Sequence, residues 1–185
     1  MEDMGSDNPI GADNQQETEA TAQPLDPWWI AGFVDGEGCF SVSIHRNDRY
    51  ARRTGGWQLT PVFPVHQHES EQGILEGIAA TFGCGTLYHK GPNSTVMTDS
   101  VGRLSDLERS VIPFFEQYRL RVKDRDFRTF ATIVRSMRDR QHWSPDGFEM
   151  LARLAYTMNA HGKQRARAIE DILQGSSETI RQAPQ

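Results

Sequence analysis

The chain has 185 residues, 24% of them charged and 37% hydrophobic, with a net charge of −5. That supports one ordinary domain with its own core. It contains no apolar run long enough to span a bilayer, and its two cysteines, Cys39 and Cys84, are too few for a secreted disulfide scaffold and lack metal-type spacing.

Residues 1–26 stand apart. They hold Glu2, Asp3, Asp7, Asp13, Glu17, Glu19 and Asp26, no Lys or Arg, and few large apolar groups, so a disordered acidic leader is expected. The rest carries twenty basic against eighteen acidic groups. Net charge therefore neither requires nor excludes a nucleic-acid partner. One domain is expected over 27–175, followed by a polar tail at 176–185. No signal peptide is visible, so a cytoplasmic, nucleoid-associated protein is expected, with no membrane partner. Cations are mostly Arg, with Lys only at Lys90, Lys123 and Lys163. That bias is read as a GC-rich, bacterial or phage-like source.

Asp26-Pro27 is a helix start, an N-cap acceptor followed by Pro at the first helical position. This helix should run to about Gly36 and stop at the glycines. Phe40 to His45 alternates like a strand, and Arg46 to Gly56 reads as a long hairpin loop. Trp57 to Val65 alternates again, with Trp57, Leu59, Phe63 and Val65 inward; Pro61 and Pro64 predict local ladder breaks. Ser70 to Phe82 is helical and closed by Gly83. A second hairpin is expected around Gly91-Pro92-Asn93-Ser94. Ser105-x-x-Glu108 reads as a capping box. An Arg-rich helix follows over Lys123–Arg140, another over Ser144–Met158, and one more over Lys163–Leu173. The class is α+β: an antiparallel sheet with helices on one face and the other face open.

The first helix carries the chemistry. Ile30, Phe33 and Val34 can pack on the sheet. Trp29, Gly32 and Gly36 lie near the opposite face, where small residues let a second backbone approach. Asp35 and Glu37 stand at its C-terminus, where free carbonyls already create negative potential. A positive partner is needed. A hard divalent cation bound by Glu37 and the Gly36 carbonyl would supply it, while Asp35 fits a turn or capping role.

Ile30-Ala31-Gly32-Phe33-Val34-Asp35-Gly36-Glu37-Gly38 resembles the signature helix of the LAGLIDADG homing endonucleases, and the order of elements from Trp28 to Leu173 is similar too. The resemblance implies an αββαββα fold with a saddle-shaped antiparallel sheet. It also implies two signature helices packed together, each placing an acid at a scissile phosphate. With one motif per chain, it implies a homodimer and a roughly palindromic double-stranded DNA target. Glu37 matches the family's metal ligand, and Gly36 the carbonyl that faces the metal. Gln67, in Val65-His66-Gln67-His68, matches a water-positioning glutamine. Lys123, in Leu120-Arg121-Val122-Lys123, matches the lysine that reaches the cleavage pocket. The implied chemistry is magnesium-dependent phosphodiester hydrolysis. One position departs: where the family members closest to this pattern carry a basic residue after the glutamine, this chain has Glu71.

A twisted sheet can follow the major groove, so the residues opposite the apolar parity are the expected readers. These are Ser41, Ser43, His45 and Asn47; Gln58, Thr60 and His66; and Thr86, Tyr88 and Lys90; the parity of the fourth strand is ambiguous, with Thr95 and Met97 preferred. Arg46, Arg49, Arg52 and Arg53 in the first hairpin loop suit phosphate contacts. His66 and His68 alternate on one strand, but no third metal ligand is evident. The alternative to a site-specific nuclease is a non-cleaving protein on the same fold, binding intron RNA as a splicing helper or DNA as a regulator. A plain interaction protein that dimerises through the glycine helix is a third reading.

Overall fold

The computed structural model describes residues 23–159 and 167–173. The expected acidic leader up to residue 22, the segment 160–166 and the tail beyond 173 lie outside them.

Helix α1 (Pro27–Glu37) starts as expected, with the Asp26 carboxylate accepting the Trp29 N–H at 2.9 Å. It ends one residue later than Gly36. Gly38 continues in an extended conformation, and a Cβ there would lie 2.7 Å from Val34 Cγ1. The glycine is needed for close packing on the helix it ends, not for a left-handed turn.

Strands β1 (Ser41–Arg46), β2 (Trp57–His68), β3 (Leu87–His89) and β4 (Val96–Val101) form one antiparallel sheet in the order β1-β2-β4-β3. Strand β2 is the spine. Its first half, Trp57–Val62, pairs with β1, and its second half, Phe63–His68, pairs with β4. The two prolines flank this change of partner, and the expected ladder breaks become a hand-over between neighbours.

The hairpin loop is shorter and more ordered than expected. Asp48–Tyr50 makes a 3-10 turn and α2 (Ala51–Thr54) follows, capped by Gly55 in the left-handed region at φ 62°. The Thr54 hydroxyl is buried and donates to the Trp57 carbonyl.

Helix α3 (Gln72–Phe82) closes at Gly83, φ 64°. The next helix corrects the capping-box expectation. It begins at Leu104, and Arg103 occupies the cap position with no side-chain bond; the Ser105 hydroxyl turns to Asp106 instead. This helix is α4 (Leu104–Asp106), a π-helical turn at Leu107–Val111, and α5 (Ile112–Gln117). Pro113 explains the π turn: it has no N–H for the Arg109 carbonyl, and the Ile112 N–H reaches back to Leu107. Helices α6 (Asp124–Arg138) and α7 (Pro145–Tyr156) follow, α7 capped by the Ser144 hydroxyl accepting the Gly147 N–H. Of the expected last helix, residues 169–173 are helical.

The core lies between the sheet and the helices. Phe40, directly after the motif, sits within 5.5 Å of the rings of Phe63, Phe115, Phe127 and Phe130. Those rings come from β2, α5 and α6. The exit of α1 is thereby locked to the start of α6, which carries Lys123.

Candidate active site and nucleic-acid interface

On α1, Ile30, Ala31 and Val34 are buried. Phe33 is only half-buried and stacks on Trp29, ring centroids 5.0 Å apart. Trp29 is 45% exposed, Gly32 and Gly36 are exposed, and a Cβ at either glycine would meet nothing within 4 Å. The small-residue face is uncovered. Trp28 and Val122, 61% and 79% exposed, flank it and were not legible as part of it.

The helix end is built by an exchange of caps. The Asp35 carboxylate accepts the backbone N–H groups of Arg121 at 2.6 Å, Val122 at 3.2 Å and Lys123 at 3.0 Å. The Lys123 ammonium donates to the carbonyls of Val34, Asp35 and Gly36 at 3.0, 2.6 and 2.9 Å. Beside the divalent cation expected at Glu37, the chain supplies a positive partner of its own at this helix end, Lys123, and Asp35 holds loop amides in the capping role expected of it. Glu37 is left exposed, and no group among the described residues bonds its carboxylate.

Past Glu37, the chain is fastened to β2. Gly38 bridges Val65, and the Cys39 N–H donates to the Pro64 carbonyl at 3.0 Å. Glu37 thus comes to the open face beside His66. Burial lowers the His66 pKa, the Lys90 charge lowers it further, and the Glu37 charge opposes both. His66 Nδ1 lies 2.8 Å from the Thr98 hydroxyl. Gln67 is the penultimate residue of β2, half-buried, its Oε1 accepting the His68 N–H at 2.8 Å. Glu71 lies exposed in the turn that follows. Among the described residues no three His, Cys, Asp or Glu side chains cluster as a metal site. His68 binds Ser70 instead.

The open face carries most of the expected readers in rows. Ser41 opposes Val62, Ser43 opposes Thr60, and His45 opposes Gln58. His66, Thr98 and Tyr88 form one row across three strands. Thr86 and Lys90 flank β3 and pair with Ser100 and Val96 through their backbones. Asn47 donates to the Gln58 side chain and caps Arg49.

Strand β4 corrects one expectation. Met97 is 5% exposed and packs in the core, and Thr95 shares its parity just before the strand, its carbonyl accepting from Glu69. Val96, Thr98 and Ser100 have the open-face parity, but Thr98 is 0% exposed, its hydroxyl held against His66. The sequence misled because Asp99 breaks the alternation: it is 1% exposed and stands between Met97 and Val101 on the inward side. Desolvation raises its pKa to about 6. The Thr86 and Ser100 N–H groups near it favour the charged form but are committed to each other's carbonyls at 3.1 Å. Both carboxylate oxygens are buried without a bonding partner among the described residues. A Cβ on Gly85, φ 129°, would overlap this carboxylate.

At the first hairpin tip the four arginines are exposed, and two of them lie over aromatic rings. Arg46 lies over the Trp57 ring at 4.2 Å, and Arg53 over Trp143 at 4.1 Å, which Arg140 approaches at 4.7 Å. Arg52 and Arg49 remain exposed.

An open sheet roofed by helices on one side, with an acid-tipped glycine helix at its rim, defines a class that comparison with known proteins makes specific. A family model described as LAGLIDADG endonuclease matches residues 30–134, and the chain belongs to that family. It is 28% identical over 149 residues to the homing endonuclease I-ApeII of Aeropyrum pernix, covering 78% of this chain and 86% of that one. It is 24% identical over 135 residues to the probable intron-encoded endonuclease 3 of Neurospora crassa, covering 73% of this chain but 25% of that protein. The chain thus spans about a quarter of the length of that fungal relative. The archaeal intron-encoded homing endonuclease I-Vdi141I, solved in complex with DNA, superposes with a TM-score of 0.75 at 27% identity, covering 83% of this chain and 95% of that chain. These sources give no support to a bacterial or phage-like origin. No helix among the described residues is long and apolar enough to cross a membrane.

Proposed function

We propose that this chain is a homing endonuclease that dimerises through the uncovered face of α1 and cuts a roughly palindromic duplex by metal-dependent hydrolysis. The carrying observation is Glu37: an exposed carboxylate without a protein partner among the described residues, at the tip of an open small-residue face. Packing two such faces brings two Glu37 carboxylates to one axis. That I-Vdi141I was solved in complex with DNA supports DNA as the partner, and the polar open sheet is the surface we assign to it.

The donor set fits a hard divalent cation such as Mg2+: Glu37 offers free carboxylate oxygens, and the Gly36 carbonyl, already accepting from Lys123, keeps a second lone pair. When bound, such an ion activates water and stabilises the leaving oxygen. Gln67 stands at the strand end where it can orient solvent. Ser41, Ser43, His45, Gln58, His66 and Tyr88 present hydroxyl, amide and imidazole groups for base edges, while the hydroxyls of Thr60 and Thr98 lie buried behind that surface. Glu71, exposed in the turn after β2, puts an acid where the resemblance expects a basic residue, and a negative charge beside developing phosphate charge would slow the reaction.

The test is cleavage of a randomised duplex pool with Mg2+, followed by sequencing of the cut ends. Wild type should enrich a two-fold-related sequence, and Glu37→Gln should bind the recovered duplex without cutting it. Equal cutting by both proteins would refute the role of Glu37. Tight binding without cutting by wild type would select the non-cleaving alternative.

A further inference from the structure

We infer that Asp35 and Lys123 act as a reciprocal pair of positioning residues that aim Glu37, and that Lys123 is not a free cation for the reacting phosphate. This rests on the reading of Glu37 as the metal-bearing acid.

Glu37 stands between Gly36 and Gly38, and Gly36, inside α1, holds the helical conformation less firmly than alanine would. The last turn of α1 also concentrates carbonyl dipoles and two acids. Left alone, this turn would fray and Glu37 would sweep a wide arc. A metal ligand needs its supports fixed to about half an ångström. Two fastenings supply them. On one side Gly38 and Cys39 are tied to β2. On the other, all three protons of the Lys123 ammonium go to consecutive carbonyls, 34 to 36.

Lys123 is itself placed by Asp35. It occupies the cap position of α6, whose own side chain makes no cap bond. The loop amides 121 to 123 are instead gathered by a carboxylate from the other helix. Leu120, 3% exposed, and Phe127, also 3%, anchor the loop at both ends. Each helix thus ties down the end of the other. To reach a phosphate, Lys123 would have to release at least one carbonyl and unfasten the turn that carries Glu37.

The experiment uses the full chain and the duplex recovered from the randomised pool. Wild type, Asp35→Asn, Lys123→Met and the double variant are compared in single-turnover cleavage against Mg2+ concentration, and by amide hydrogen exchange without DNA. Exchange at 34–38 should rise in Lys123→Met, and exchange at both 34–38 and 121–124 in Asp35→Asn. The Mg2+ midpoint should rise about ten- to a hundredfold in each single variant. The double variant should be no worse than the more severe single. Metal-free duplex affinity should stay near wild type.

An unchanged Mg2+ midpoint in Asp35→Asn, or fully additive losses in the double variant, would overturn the pairing. Asp35→Asn is nearly isosteric and decides the matter alone if Lys123→Met does not fold. Normal cutting by Glu37→Gln would instead sink the underlying reading, while the exchange coupling between the two segments would still report on the clamp.

Discussion

Two corners of the molecule carry cations that the sequence assigns to phosphates, and they use them differently. At the end of α1, the Lys123 ammonium gives its three protons to three carbonyls and has none left. At the hairpin tip, Arg53 lies 4.1 Å over Trp143, and no hydrogen bond or ion pair among the described residues takes its N–H groups. An ammonium that caps a helix is spent; a guanidinium on an indole keeps its N–H donors and is still able to bind phosphate. The first corner builds geometry, and the second keeps charge in reserve.

Stability should separate the corners most strongly. Lys123→Met should cost about 2–4 kcal/mol in denaturant unfolding, because it strips charged hydrogen bonds from a half-buried helix end. Arg53→Met should cost under about 1 kcal/mol, as an exposed stack does. Equal losses would break the contrast.

Asp99 is a third case, a charge that neither caps nor stacks. Its folded pKa, about 6 against an ordinary 3.8, means the native state prefers the neutral acid. Native stability is therefore highest below the unfolded pKa and is lost as pH rises from about 4 through 6. Asp99→Asn should raise stability at pH 8 by roughly 2–3 kcal/mol and by little at pH 4. A pH-independent effect would show that the carboxylate has a partner.

The smallest effect belongs to recognition. Arg53→Gln should weaken duplex binding mildly and lower the slope of log affinity against log salt by about one. Trp143→Ala should loosen the arginine and weaken binding while leaving that slope nearly unchanged. An unaltered slope in Arg53→Gln would mean that its charge faces away from DNA.

Local signals decided much of this protein before any tertiary contact. Asp26-Pro27 set where α1 begins, Gly83 where α3 ends, and the alternation of β1 and β2 set which side chains face outward, because caps and period-two patterns act over a few residues. The motif likewise located Glu37. The exchange between Asp35 and Lys123, 88 residues apart, left no such trace, since any helix-end acid and any lysine look alike until the chain brings them together. Strand β4 was misread because a buried aspartate looks like a solvent-facing one in sequence. Composition can say that a residue is charged; only the folded neighbourhood decides whether that charge is spent on carbonyls, stacked on a ring or stranded in the core.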